Sequence, residues 1–171
     1  MQTFLPYESF ARSAEVLDHR RLGKQRVEVI QIVRALTVPT YAWKSHPAVL
    51  MWQGFEEALG RYGMEMVRVW CGRGFDDTCE GTILRDLATA GVRAPRSQAE
   101  LAADSALPPW LGDPAFHRSH QSSLLRKDPE WYAEHFPDVP ADLPYVWPVR
   151  SPKVLAAEQR RADRRASRPT G

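Results

Sequence analysis

Cysteine is scarce: Cys71 and Cys79 are the only two in 171 residues, and no Cys-x-x-Cys occurs. Two thiols are too few for a disulfide scaffold, so the core must hold itself together by burial. No stretch approaches 18 apolar residues, which excludes a membrane-spanning helix of the usual kind. The opening MQTFLPYESF lacks the basic segment and apolar run of a secretory signal. These absences lead to the expectation of a cytoplasmic protein in a reducing compartment, with no role at a membrane. Excess positive charge is also missing from most of the chain. The net charge is +2, yet from Arg150 onward there are seven Lys and Arg against two Asp and Glu, which leaves residues 1–149 at net −3. The body is therefore not a generally basic nucleic-acid binder. Its basic charge is local, with Arg20, Arg21, Lys24 and Arg26 inside seven residues. A local patch can still grip phosphates, because opposite charge farther than about 8–10 Å is screened.

What is present is helical periodicity. Leu22, Val29, Val33 and Leu36 recur as one apolar stripe, which predicts a long helix over Ala14–Leu36, capped by Ser13 or Asp18 and ended by Pro39. Gly23 inside that pattern allows close approach by another backbone or by DNA. Met51, Phe55, Leu59, Tyr62, Met66 and Val69 predict a second long helix over Ala48–Cys71, ending at Gly72 and Gly74. A shorter helix is expected over Gly81–Ala90. Nine of the 14 prolines fall between residues 92 and 149, so this part should hold only short helices, near Ser97–Ala103, over His117–Lys127 and after Asp128-Pro129. Residues 150–171 are rich in Arg, Ala and Ser and have little to bury, which predicts a flexible basic tail, disordered or loosely helical. The expected architecture is all-α: a single compact domain over 1–149, two long helices under a Pro-rich C-terminal wrap, then the tail.

Arg21, Lys24, Gln25 and Glu28 share one side of the first helix, away from the stripe through Leu22 and Val29. Such a strip is either a solvated face laced with i,i+4 pairs or a carboxylate set among cations. A carboxylate inside a phosphate-gripping site can stabilise a sugar cation or steer protons in glycosidic-bond cleavage.

The stretch Leu17-Asp18-His19-Arg20-Arg21-Leu22-Gly23-Lys24-Gln25-Arg26-Val27-Glu28 resembles the first helix of the pyrimidine-dimer DNA glycosylases of the phage endonuclease type. Leu22 stands six residues before Glu28, as a Leu does before that family's catalytic Glu. Arg73-Gly74-Phe75 with Asp77-Thr78 is similar to a sequence at the end of the family's second helix, and Trp131-Tyr132 resembles its aromatic C-terminal segment. The chain is more similar still to a bacterial subgroup sharing the MQTFLPY opening, the RLGKQRVE helix and the HPAVxMW loop. The resemblance implies a bifunctional glycosylase and abasic-site lyase that excises damaged pyrimidines from duplex DNA, as a monomer and without metal or cofactor. It implies Glu28 as the catalytic carboxylate, Arg20, Arg21 and Arg26 as phosphate contacts, and His19 in the place of a family histidine after a shift of register. The family's nucleophile is the α-amine of an N-terminal Thr. Here the second residue is Gln, whose bulk hinders removal of the initiator, so the amine would be that of Met1. Lys24, one turn before Glu28, is the rival amine.

Three further features stand out. Trp43, His46 and Trp52 flank the Pro47 helix start and are either core or the wall of a base pocket, where an extruded base would stack. Arg118 and His120 in His117-Arg118-Ser119-His120 are candidate DNA contacts, since the spacing alone offers too few ligands for a metal. Cys71 and Cys79 are expected to be inert. The sequence thus predicts a DNA N-glycosylase and lyase. The alternatives are a noncatalytic nucleic-acid-binding protein, with Glu28 structural, and an enzyme of the same scaffold acting on another modified base or nucleoside.

Overall fold

The computed structural model describes residues 1–150 and, beyond them, residues 152, 155, 156, 159 and 160. Sixteen of the 22 residues of the basic tail predicted for 150–171 lie outside these. Among the described residues the regular structure is helical and no strand occurs. No helix there is long and apolar enough to cross a membrane.

The predicted first helix is two helices. α1 (Phe10–Val16) is capped by Ser9, and α2 (His19–Thr37) by Asp18, with Leu17 and Asp18 both extended between them. Asp18 is the reason for the break. Its carboxylate accepts from the backbone N–H groups of Arg20 (2.9 Å) and Arg21 (3.1 Å), two donors that a continuous helix would have satisfied itself. Ser13 is not the cap. Its hydroxyl donates to the Tyr7 carbonyl at 2.9 Å and so folds the arm back onto α1.

The predicted second helix is also interrupted. α3 (Pro47–Leu50) ends in a turn, and α4 (Glu56–Gly72) starts after it. Gly54 has φ +83°, a left-handed conformation that a side chain resists, and it redirects the chain there. α2 packs chiefly against α4, with α5 (Glu80–Ala88) against both. Leu22, Val29, Ile32 and Val33 from α2 meet Leu59, Tyr62 and Met66 from α4 in one buried core. Gly23 does admit a close neighbour, but it is the Trp70 indole, which a Cβ would meet at 2.9 Å.

α6 (Gln98–Ala103), α7 (Pro114–Lys127) and α8 (Pro129–Tyr132) lie close to their predicted positions. The Pro-rich wrap after α8 docks on α7 through polar side chains. Ser122 accepts from Leu143 N–H (3.0 Å), Ser119 from Val146 N–H (3.1 Å), and Arg126 donates to the carbonyls of Ala141 and Leu143. This docking carries Tyr145 and Trp147 onto the part of the molecule occupied by the N-terminal arm.

Candidate active site

Residues 1–9 form an extended arm threaded between α2, α4 and α7. Extended backbone inside a core needs a partner for each polar group, and side chains provide them. Gln25 accepts from Phe4 N–H at 2.9 Å. The Tyr62 hydroxyl lies 2.9 Å from the Phe4 carbonyl and 2.7 Å from Gln25 Oε1, sharing its one hydrogen between two acceptors. On the other side, His120 Nδ1 accepts from Leu5 N–H (3.0 Å), while His117 Nδ1 lies 2.8 Å from the Leu5 carbonyl. His117 Nε2 accepts from Gly112 N–H, so its proton sits on Nδ1 and is donated to Leu5. Gln121 donates to the Pro6 carbonyl at 2.8 Å. Trp52 is fully buried and its indole N–H donates to Thr3.

The clamped arm brings its end to α2. The α-amine of Met1 lies 3.9 Å from Glu28 Oε2, with both side chains buried. Gln2 N–H donates to the same oxygen at 3.2 Å. Lys24 Nζ stands 3.5 Å from Oε1, but its side chain is 72% exposed against 5% for Glu28. Glu28 is therefore a buried carboxylate between two amines, that of half-buried Met1 and that of exposed Lys24. His46, the N-cap of α3, accepts from Ala48 N–H through Nδ1 (3.1 Å). Burial holds its imidazole below the ordinary range, the Met1 ammonium adds to the effect, and Glu28 opposes it. The same ring makes edge-to-face contacts with Trp43 and Trp147.

Two cavities are lined by residues at the end of the arm. One, about 250 Å³, is lined by Met1, Gln31, Tyr41 and Trp43. The other, about 220 Å³, is lined by Gln2, Gln25 and Glu28 and rimmed by Arg20, Arg21, Lys24 and Lys127.

The expected phosphate contacts divide. Arg20 and Lys24 are exposed at the second cavity, and His19 is exposed at the start of α2. Arg21 is tied down: it donates to Asp18 and Asp128 (both 3.1 Å) and to the Lys127 carbonyl (2.9 Å), joining α2 to the end of α7. Burial alone would raise the Asp18 carboxyl. Hydrogen bonds from Tyr132 and the Arg21 backbone, with the Arg21 charge, hold it below the usual carboxylate range. Arg26 departs from its expectation. It is buried beside the apolar stripe, paired with Asp77, and its guanidinium lies 3.9 Å from the centre of the Trp70 ring, so it anchors the α4–α5 turn and faces away from solvent. Arg118 is exposed but donates to the Asp138 carbonyl at 2.7 Å. His120 is fully buried, an arm clamp where a DNA contact was expected, and Trp52 is core where a pocket wall was expected. Trp43 is 64% exposed and free to stack on a ligand.

The buried histidines have a consequence for stability. Burial holds His120 well below its ordinary value, and the neighbouring His117 adds to this. The unfolded chain takes up this proton near pH 6.5 and the folded chain does not, so protonation favours unfolding. Stability is therefore expected to fall as pH drops below about 6.5, by up to about 1.4 kcal/mol per pH unit from His120. Urea midpoints at about pH 7.5 and about pH 5.5 check this. The midpoint should be lower in acid, and the difference smaller in His120→Asn. Equal midpoints would show that His120 takes its proton without cost.

Residues 1–82, comprising the arm, α1 to α4 and the start of α5, match the family model described as pyrimidine dimer DNA glycosylase. No curated protein and no solved structure matches the chain. The matched segment contains Met1, Lys24, Glu28, Trp43 and His46, while the similarity seen at Trp131-Tyr132 lies beyond it. Over these residues, just under half of the chain, the sequence is similar to the pyrimidine dimer DNA glycosylase family.

Proposed function

We propose that the protein excises damaged pyrimidines from duplex DNA and cleaves the resulting abasic strand, with the Met1 α-amine as nucleophile and Glu28 as the catalytic carboxylate. The observation that carries this reading is the α-amine of half-buried Met1 3.9 Å from a buried carboxylate, at the end of an arm whose backbone is held on both sides. A fixed amine beside a carboxylate needs little reorganisation to meet a sugar carbon.

In the reaction, the neutral amine attacks C1′ and the C1′–N bond breaks. The base leaves with the bonding electrons and takes a proton. The sugar ring opens to an imine between C1′ and the Met1 nitrogen. Loss of a C2′ proton then expels the 3′ phosphate by β-elimination, and water releases the amine. Glu28 faces the positive charge that develops at C1′ and is placed to move protons at the amine. Arg20, Lys24 and Lys127 line a cationic rim that suits the strand's phosphates. Trp43 and His46 stand where an extruded base would enter.

An α-amine suits this role better than Lys24, because its ordinary pKa is near 8 against about 10.4 for lysine, and because the Lys24 head stands in water at the rim.

Borohydride reduction in the presence of abasic, ultraviolet-irradiated and undamaged duplexes tests the reading. A covalent protein–DNA adduct is expected with the first two and not with the third. No adduct with any duplex would leave a binding protein, or an enzyme that uses water, and would overturn the proposal.

A further inference from the structure

We infer that His117 and His120 are positioning residues for the nucleophile: they hold the Leu5 peptide from both sides as neutral rings, and proton uptake at His120 frees the arm and draws the Met1 amine away from Glu28. The clamp itself stands apart from the glycosylase reading; its effect on cleavage rests on that reading.

The hydrogen bonds fix the working state of both rings. His120 Nδ1 accepts from Leu5 N–H at 3.0 Å, so the proton of the neutral ring sits on Nε2. His117 Nδ1 donates to the Leu5 carbonyl at 2.8 Å, while its Nε2 accepts from Gly112 N–H at 3.0 Å. One ring thus takes the donor of the peptide and the other its acceptor. A second proton on His120 would go to Nδ1 and face the Leu5 N–H, donor against donor.

The surroundings of His120 give a cation no relief. The ring is fully buried, and its Nε2 has no partner among the described residues. It is enclosed by Phe116 from α7, Tyr145 from the wrap and Phe4 from the arm, with centroids 4.2, 4.5 and 6.3 Å away. The titratable groups against it are His117 and Tyr145. Burial pushes the Tyr145 phenol up, so it supplies no anion. Lys127 stands over the Phe4 ring, 5.8 Å from its centre, and adds positive charge. Burial and the neighbouring His117 accordingly hold the His120 imidazole well below its ordinary range. A cation formed there gains by leaving the clamp for water.

The arm passes the change on. Leu5 is four residues from the amine, and Phe4 packs edge-on against the same His120 ring. Extended backbone has little slack. Movement at Leu5 therefore displaces Gln2 N–H and the Met1 amine, which both stand at Glu28 Oε2. A displacement of about 1 Å near the reacting atoms costs about 10²-fold in rate. The family match ends at residue 82, so both histidines belong to a part of the chain that it does not cover.

Two measurements between about pH 8 and about pH 5 test the inference. The first is amide hydrogen exchange in the full chain, corrected for the intrinsic rate. Protection of the Phe4 and Leu5 amides should fall in acid while that of α4 is kept. In His120→Asn, whose Oδ1 can accept from Leu5 N–H and does not titrate, arm protection should stay level. The second is single-turnover cleavage of an abasic duplex. The need for a neutral amine alone lowers the rate about tenfold per pH unit below an ordinary pKa near 8. Below about pH 6.5 wild type should steepen toward about a hundredfold per unit, and His120→Asn should keep the tenfold slope. His120→Leu cannot accept the Leu5 N–H. It should cleave about 10²-fold more slowly across the range while still binding the abasic duplex. Thermal midpoints confirm that each variant is folded. An arm that keeps its protection in acid, an arm and α4 that lose it together, or the same slope in wild type and His120→Asn would each overturn the inference. Absence of cleavage by wild type at any pH counts against the glycosylase reading and leaves the exchange result to decide the clamp.

Discussion

Glu28→Gln is expected to lower strand cleavage at a preformed abasic site by about 10²- to 10⁴-fold, the usual contribution of a positioned acid–base group. Gln is nearly isosteric and can still accept from Gln2 N–H, so the arm should stay in place. What is lost is the charge facing C1′ and the ability to carry a proton. Binding to the abasic duplex should be kept, since no positive contact to phosphate is removed and one negative charge near the strand is. A variant that cleaves within about tenfold of wild type would leave Glu28 as an internal counter-ion for Met1 and Lys24. A variant that neither binds nor keeps its thermal midpoint would show a structural role. Glu28 itself is buried, so the thermal midpoint is measured beside cleavage to separate a lost charge from a lost fold.

The polar strip on α2 was legible in the sequence because Lys24, Gln25 and Glu28 follow helical spacing and need only local geometry. The structure brings Lys24 and Glu28 together as that spacing predicts. Gln31 continues the same strip by three residues and could have been found by the same rule. The breaks at Asp18 and Gly54 were harder. Apolar periodicity runs on across both, and only the capping carboxylate and a left-handed glycine interrupt it. Arg26 sits next to the apolar stripe, and its inward turn depends on Asp77, 51 residues away. The roles of His117 and His120 were not readable from their own neighbourhood, since the peptide they clamp at Leu5 is 112 and 115 residues distant. Tyr145 and Trp147 lie in a Pro-rich stretch without periodicity. They reach the site only because Ser119, Ser122 and Arg126 dock that stretch on α7.

Blocking the Met1 amine should have the largest effect of all. Adding one or two residues before Met1 turns its nitrogen into an amide, which cannot form an imine, and displaces the new amine from Glu28. Strand cleavage and borohydride trapping on the abasic duplex should both vanish, while binding through Arg20, Lys24 and Lys127 persists. Lys24→Ala should still form the adduct, with weaker binding as the cost of one rim cation and a salt dependence flatter by about one unit of slope. The central claim is that the Met1 amine, held against Glu28 by a clamped arm, is the nucleophile. It is tested most directly by locating the covalent bond itself. The adduct reduced on an abasic duplex is digested, and the peptide carrying the sugar remnant is identified by mass spectrometry. The account predicts the remnant on the α-nitrogen of Met1, in a peptide containing MQTFLPY. A remnant on Lys24 Nζ, with Met1 unmodified, would contradict it.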